Sequence, residues 1–252
     1  AETSYPVPYT VWHRNKGVGS IDTVTSLSDV LALTTRDELK ARPIEDKTSA
    51  WQTAGEGEWD ALVKVRGKSA YKAYRGASTE PYGVFWIKLK DVRSDEMLVM
   101  ENLPELGKRD IKKVNNFNLE SDLVYPGVRG RDISRWQANP EIYVLIVQDS
   151  NTREGYPESR VKNQWPETYK YLQQFEAPLR NRAAFIKYYK SSDAFYSQFN
   201  ISDYTFKPHK VVWKRMANDL VAAVMSTFPT PFGNKVGVGT DTTSLIPFED
   251  AD

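Results

Sequence analysis

The sequence predicts an α+β fold: mixed, mainly antiparallel twisted sheets with one prominent helix near residues 166–182. Three observations carry this. Four apolar or alternating segments, VFWIKLK (84–90), EMLVMENL (96–103), DLVYPGV (122–128) and EIYVLIVQD (141–149), are separated by Gly, Pro, Asn and Asp. A helical period of apolar residues follows Pro166. Aromatic residues make up 12% of the chain, which favours sheets and interfaces over helical bundles.

In chain order, SYPVPYTVW (4–12) reads as a short extended piece with no partner nearby in sequence, like the end of something upstream. Residues 13–60 are rich in Gly, Ser, Thr and Asp, and are predicted to be mostly a linker wrapping a neighbouring body. Within them, SLSDVLAL predicts a short helix behind a Ser26 cap. EIYVLIVQD is apolar on both faces and so predicts a central strand. Pro166 suits a first helical turn, and Glu167 suits its positive dipole end. Tyr169, Leu172, Phe175 and Leu179 then share an inner face, while Gln173, Gln174 and Arg180 face outward, and Pro178 should kink or end the helix. Further strands are predicted in HKVVWKRM (209–216), LVAAVMSTF (220–228) and KVGVGT (235–240).

Composition excludes several function classes. The absence of cysteine removes disulfide frameworks, thiolate zinc sites and thiol catalysis, and suits a reducing cytoplasm. No apolar run approaches the roughly 18 residues of a membrane span, and the opening does not read as a signal peptide. A cytoplasmic protein without a membrane partner is therefore expected. His13 and His209 lie in unrelated contexts, which argues against a histidine metal site or triad. Gly237 and Gly239 complete neither phosphate-loop pattern and read as strand-edge glycines. Asp29, Glu38 and Lys40 loosely match a metal-dependent nuclease spacing, a pattern that a chain with 27% charged residues produces by chance.

Binding features are stronger. The net charge of +1 hides alternating blocks: residues 61–90 hold seven Lys+Arg against one acid, and residues 160–215 hold eleven against four. The flanking stretches are acidic. Such a distribution is the footprint of a localised polyanion site. Three basic elements stand out. YKAYRGAST (71–79) offers Lys72, Tyr74 and Arg75 before Gly76, as a flexible cationic loop with a stacking group. YPGVRGRDISRW (125–136) carries Arg129, Arg131 and Arg135 beside Trp136, with Arg129 and Arg131 on one side of an extended segment. HKVVWKRM alternates Lys210, Val212 and Lys214 against Val211, Trp213 and Arg215, so that one side packs and the other presents charge. The bland alternative is a set of solvated surface cations, with Glu120, Asp122 and Asp132 neutralising the arginine turn. Together, the three elements fit nucleic acid, where phosphate contacts position and Arg or aromatic groups read or stack bases.

The ordered series YRGAST…GVFWIKL, LESDLVYPGVRGRDISRW, YVLIVQD, WPETYKYLQQFEAPLRNR, PHKVVWKRM and a Thr-rich strand before LIPF resembles the target-recognition region of adenine-N6 DNA methyltransferases. It is similar in particular to restriction–modification methylases of the type IIG group, with a TaqI-like specificity domain. The resemblance implies a division into residues 1–60, the exit from an upstream catalytic domain plus linker, and residues 61–252, the DNA target-recognition domain. The family's Asn/Asp-Pro-Pro-Tyr/Phe motif and glycine-rich S-adenosylmethionine loop have no counterpart here, so no catalytic or cofactor-binding residue and no metal ligand is carried over. S-adenosylmethionine would belong to the parent enzyme, and double-stranded DNA and the upstream catalytic domain would be the partners. The expected DNA-binding set is Lys72, Tyr74, Arg75, Arg129, Arg131, Arg135, Lys210, Lys214 and Arg215. A protein-interaction module without DNA affinity, and a magnesium-dependent nuclease fragment built on Asp29, Glu38 and Lys40, are the alternatives.

Overall fold

The computed structural model describes residues 3–55 and 57–250. The chain divides into two compact units, residues 1–70 and 71–252.

In the first unit, strand β1 (Val7–Arg14) pairs antiparallel with β2 (Thr34–Pro43), and β2 pairs with β3 (Trp51–Ala54). Helix α1 (Leu27–Ala32) precedes β2, and α2 (Glu58–Val65) follows β3. The predicted cap is present: Ser26 Oγ accepts from the Asp29 backbone N–H at 3.1 Å. The expected linker is instead a three-stranded sheet, in register from Val7 opposite Ala41 to Arg14 opposite Thr34. The opening strand does have a partner, about thirty residues on. The polar content that suggested a linker belongs to a sheet with little interior. Among the described hydrophobic residues of this unit, only Ala41 and Ala54 are buried.

The second unit is built on a six-stranded sheet. Its strands are β5 (Trp86–Val92), β6 (Leu98–Asn102), β7 (Phe117–Leu119), β8 (Val124–Val128), β11 (Ile142–Leu145) and β16 (Val238–Gly239), in the order β16-β8-β11-β5-β6-β7. All pairings are antiparallel except β16 with β8. As predicted, β11 is internal. Its side chains pack on both faces, Leu145 in the larger core with Ile87 and Leu98, and Val144 in a second core with Trp86 and Val238. Short helix α3 (Tyr82–Phe85) leads into β5.

Helices α4 (Glu158–Gln164), α5 (Pro166–Gln173), α6 (Glu176–Arg180) and α7 (Ala183–Tyr188) form the helical part. Tyr169, Leu172, Phe175 and Leu179 are all buried in the larger core, as their spacing predicts. The helix expected over 166–182 breaks at Gln174–Phe175, and Pro178 sits inside α6 near its start, where a missing N–H is tolerated. Glu120 closes the start of α5, accepting from the backbone N–H groups of Glu167 and Thr168, both at 2.9 Å. That acid therefore serves a helix rather than the arginine turn. Asp122 likewise accepts from Trp165 Nε1 at 3.0 Å.

A four-stranded sheet in the order β13-β12-β17-β4 completes the unit, formed by β4 (Tyr74–Arg75), β12 (His209–Lys214), β13 (Ala222–Met225) and β17 (Thr243–Phe248). A two-residue pair, β9 (Ile133–Ser134) with β10 (Gln137–Ala138), and the hairpin β14 (Thr227–Thr230) with β15 (Gly233–Val236) lie beside it. Its core gathers Val128, Ile133, Val212, Met225 and Leu245. The architecture is α+β with mainly antiparallel sheets. No helix among the described residues is long and apolar enough to cross a membrane.

Candidate nucleic-acid interface

The three basic elements converge on the turn Thr240-Asp241-Thr242 between β16 and β17. From the first element, Gly76 lies so close to this turn that a Cβ there would stand 2.0 Å from the Thr240 carbonyl oxygen. The segment is thus a packed strand rather than the flexible loop expected, with the Gly76 N–H donating to Thr243 O at 3.1 Å. From the second, the Gly130 N–H donates to Thr242 Oγ1 at 2.8 Å. From the third, the Arg215 N–H donates to Thr242 O at 3.1 Å. Three segments that lie more than fifty residues from one another in sequence are so held around four consecutive positions.

Asp241 is the acid at the centre, 6% exposed. Its Oδ2 accepts from Tyr82 Oη at 2.7 Å and pairs with Arg75 Nη2 at 3.3 Å. Its carbonyl accepts from Arg215 Nη1 at 3.2 Å. Burial, and then the Asp241 carboxylate, push the Tyr82 hydroxyl well above its usual range, so it remains a donor. Oδ1 is buried and accepts no hydrogen bond among the described residues. One residue therefore orients two guanidinium groups, Arg75 through its carboxylate and Arg215 through its carbonyl, while leaving net positive charge around it.

Arg131, Lys214 and Arg215 line one cleft of about 470 Å³ with Gly130, Met216, Asp241 and Thr242. Arg131 is exposed and has no hydrogen bond or ion pair among the described residues. Arg135 is exposed, and its Nη2 reaches the Leu220 carbonyl at 3.5 Å. Beside it Trp136 is 75% exposed, and Met216 and Leu220 are exposed as well. Lys72 and Tyr74 line a separate cleft with Arg153 and Tyr204. There Tyr74 stacks on Tyr204, with centroids 4.1 Å apart, and Lys72 Nζ lies 5.1 Å above the Tyr74 ring.

Two expected DNA contacts are interior groups. Arg129 has a 6% exposed side chain. Its Nε donates to Asp132 Oδ2 at 2.8 Å, and its Nη2 donates to Asp132 Oδ1 at 2.7 Å and Glu141 Oε2 at 2.5 Å. The cause is local: Gly130–Asp132 is a 3-10 turn, so Arg129 and Arg131 do not share a side as they would in a strand. The hydrogen bonds that Arg129 donates to Asp132 hold its pKa above the ordinary value. Lys210 is 1% exposed, on the packed side of β12 beside Val212. Its Nζ donates to the carbonyls of Lys207 at 2.5 Å and Gly237 at 3.1 Å. Burial lowers its pKa to about 8. The alternation read in HKVVWKRM is real, but Lys210 and Val212 on one side are buried, and of that side only Lys214 at the strand end reaches the cleft.

The nuclease spacing does not assemble. Asp29 bonds Ser26 at the start of α1, and Glu38 accepts from Thr10 across the β1–β2 pair. No group of three His, Asp or Glu side chains among the described residues could hold a metal ion.

Sequence reading missed Asp241 and Tyr82, together with Arg109, Arg153 and Arg182, which line neighbouring clefts. The one legible hint was a lone acid in the Thr-rich segment between strands. No protein-family model matches the chain, and no curated protein matches it.

Proposed function

We propose that residues 71–252 bind duplex DNA, as the target-recognition part of an adenine-N6 DNA methyltransferase of a restriction–modification or phage-defence system. The observation that carries the DNA reading is the gathering of Arg131, Lys214 and Arg215 into one cleft from two distant segments, with Arg75 tethered beside them through Asp241. Guanidinium forks suit phosphates and guanine edges, and a cation held by its neighbours loses less entropy when it binds. Arg131 is the group best placed for a base edge, because no protein partner occupies it among the described residues. Lys214, Arg215 and Arg135 fit backbone phosphates, and exposed Trp136 offers a stacking or wedging surface. The methyltransferase assignment rests on the ordered sequence series; base flipping and methyl transfer from S-adenosylmethionine belong, in that reading, to a partner catalytic domain in a bacterial or archaeal cytoplasm.

The exposed side chains of Trp136, Met216, Leu220 and Val224 favour one other reading, a protein-docking surface. Fluorescence anisotropy with random-sequence duplex DNA decides between them. If about six phosphates are neutralised, raising salt from about 50 to about 200 mM should weaken binding roughly a thousandfold. Replacing Arg131, Lys214 and Arg215 by Ala should reduce the slope of log affinity against log salt by about three. Absence of affinity at low salt, or a slope that those substitutions leave unchanged, would sink the DNA reading.

A further inference from the structure

A second cleft, of about 590 Å³, is lined by Arg75, Glu80, Arg109, Arg182, Tyr188 and Asn200, among others. Its chemistry is set by Arg182. This guanidinium is buried, and it donates to four backbone carbonyls: Leu179 at 2.8 Å, Glu80 at 3.0 Å, Phe195 at 2.8 Å and Ser197 at 2.8 Å. All four acceptors are neutral, and no carboxylate pairs with Arg182 among the described residues. Its charge is therefore held in the wall of the cleft without a bonded carboxylate, and Glu80 acts on it only through space. Of its five N–H donors, one on Nη1 is left over.

Arg109 lines the same cleft. It is exposed, has no hydrogen bond or ion pair among the described residues, and raises the cost of protonating Arg182 by repulsion. Arg75 adds a third guanidinium, whose Asp241 partner lies 3.3 Å away. Against these stands Glu80, whose carboxylate takes only a long bond from Tyr82 Oη at 3.4 Å. Three cations against the carboxylates of Glu80 and Asp241 leave an excess of positive charge in the cleft, which an anion offsets. Two guanidinium forks, Arg75 and Arg109, with the one remaining Arg182 N–H, line the same cleft and can together donate to the several oxygens of a phosphate. Beside them the exposed ring of Tyr188 is braced edge-on by Phe199, with centroids 6.0 Å apart, and presents a surface for a planar ring. The volume falls within the range of small-ligand sites.

We propose that this cleft is a nucleotide-phosphate site: Arg75, Arg109 and Arg182 hold the phosphate and Tyr188 takes the base. It goes beyond the duplex-binding reading, since it needs none of Arg131, Lys214 and Arg215. The phosphate could come from a nucleic-acid strand or from a free mononucleotide, and both present the same chemistry.

The test is isothermal titration of the intact protein with AMP, inorganic phosphate, adenosine and a short single-stranded oligonucleotide. AMP should bind in a salt-sensitive manner, with adenosine at least about tenfold weaker, as expected for loss of charge-assisted hydrogen bonds. Arg182→Gln risks misfolding, so Arg109→Glu is the decisive variant. It should abolish AMP binding at an unchanged melting temperature. The Arg131→Ala, Lys214→Ala double variant should bind AMP as the parent does, so loss of duplex affinity there leaves this site standing. Competition by the oligonucleotide would assign the phosphate to a strand, and its absence would assign it to a mononucleotide. Equal affinity for AMP and adenosine, AMP binding unaffected by Arg109→Glu, or no AMP binding in low salt would each overturn the proposal.

Discussion

Arg129 and Arg131 stand two residues apart, and the structure gives them opposite work. Arg129 and Asp132 form a buried pair in which the Asp132 side chain is 1% exposed. Removing the guanidinium leaves that carboxylate buried without its partner, so Arg129→Ala should cost about 3–5 kcal/mol of stability, measured by urea denaturation. Arg131→Ala touches no such pair. Its stability should change by no more than about 0.5 kcal/mol, while its DNA affinity falls. If both variants instead unfold at the same urea concentration, the division of labour is wrong. The sequence made Arg129, Gly130, Arg131 and Asp132 visible as a cationic turn. It did not show which arginine Asp132 holds, because the strand period of two fails inside a 3-10 turn. Lys210 is a second case, and it titrates in a useful range. Its folded pKa of about 8 lies below the ordinary lysine value, so the unfolded chain binds more protons between about pH 8 and pH 10. This group therefore makes stability rise with pH across that window. Lys210→Met should remove that contribution, so the difference in stability between parent and variant should change by up to about 1.4 kcal/mol per pH unit there. A difference that is flat with pH would show that Lys210 keeps an ordinary pKa.

At the scale of elements, placement depends on a few close approaches. A strand of two residues such as β4 has little propensity of its own, and its position follows from Gly76 against the Thr240 carbonyl. Gly76→Ala would put a methyl group 2.0 Å from backbone oxygen, which no rotamer change relieves. Strand β4 must move away from the Gly239–Thr240 backbone, at a cost of about 1–3 kcal/mol or more. Because Arg75 and Tyr74 are carried on β4, DNA and AMP affinity should fall together with the melting temperature. Loss of stability with both affinities intact would separate β4 from the binding surface. The longer elements were readable for a different reason. The side chains of β11 form a continuous apolar run and the buried ones of α5 repeat at the helix period, both of which sequence preserves. The pairing of β4 with β17 spans about 170 residues, and no local pattern encodes it. That is why the basic elements were legible one by one while the Asp241 turn joining them was not.

For the whole molecule, the distribution of the interior sets what each unit can do alone. Every residue of the three apolar cores lies between Ala77 and Leu245. The cations assigned to DNA and to the nucleotide cleft also lie beyond residue 71. The first unit has 70 residues, and its described hydrophobic residues that are buried are two alanines, while Trp12, Leu27, Trp51 and Val65 are exposed. Chains of that size bury little of their unfolded surface even when well packed, and an alanine contributes little transfer free energy. A polypeptide of residues 71–252 should therefore fold cooperatively and bind duplex DNA with the same salt slope as the intact chain. A polypeptide of residues 1–70 should show an unfolded circular-dichroism spectrum and no thermal transition. The charge balance points the same way, because residues 1–60 carry six Lys+Arg against ten Asp+Glu and have no excess of cations to release counter-ions from DNA. A shallower salt slope for residues 71–252 than for the intact chain would mean that cations of the first unit, such as Arg14 or Arg36, also meet phosphate, and the DNA surface would have to be extended to include them.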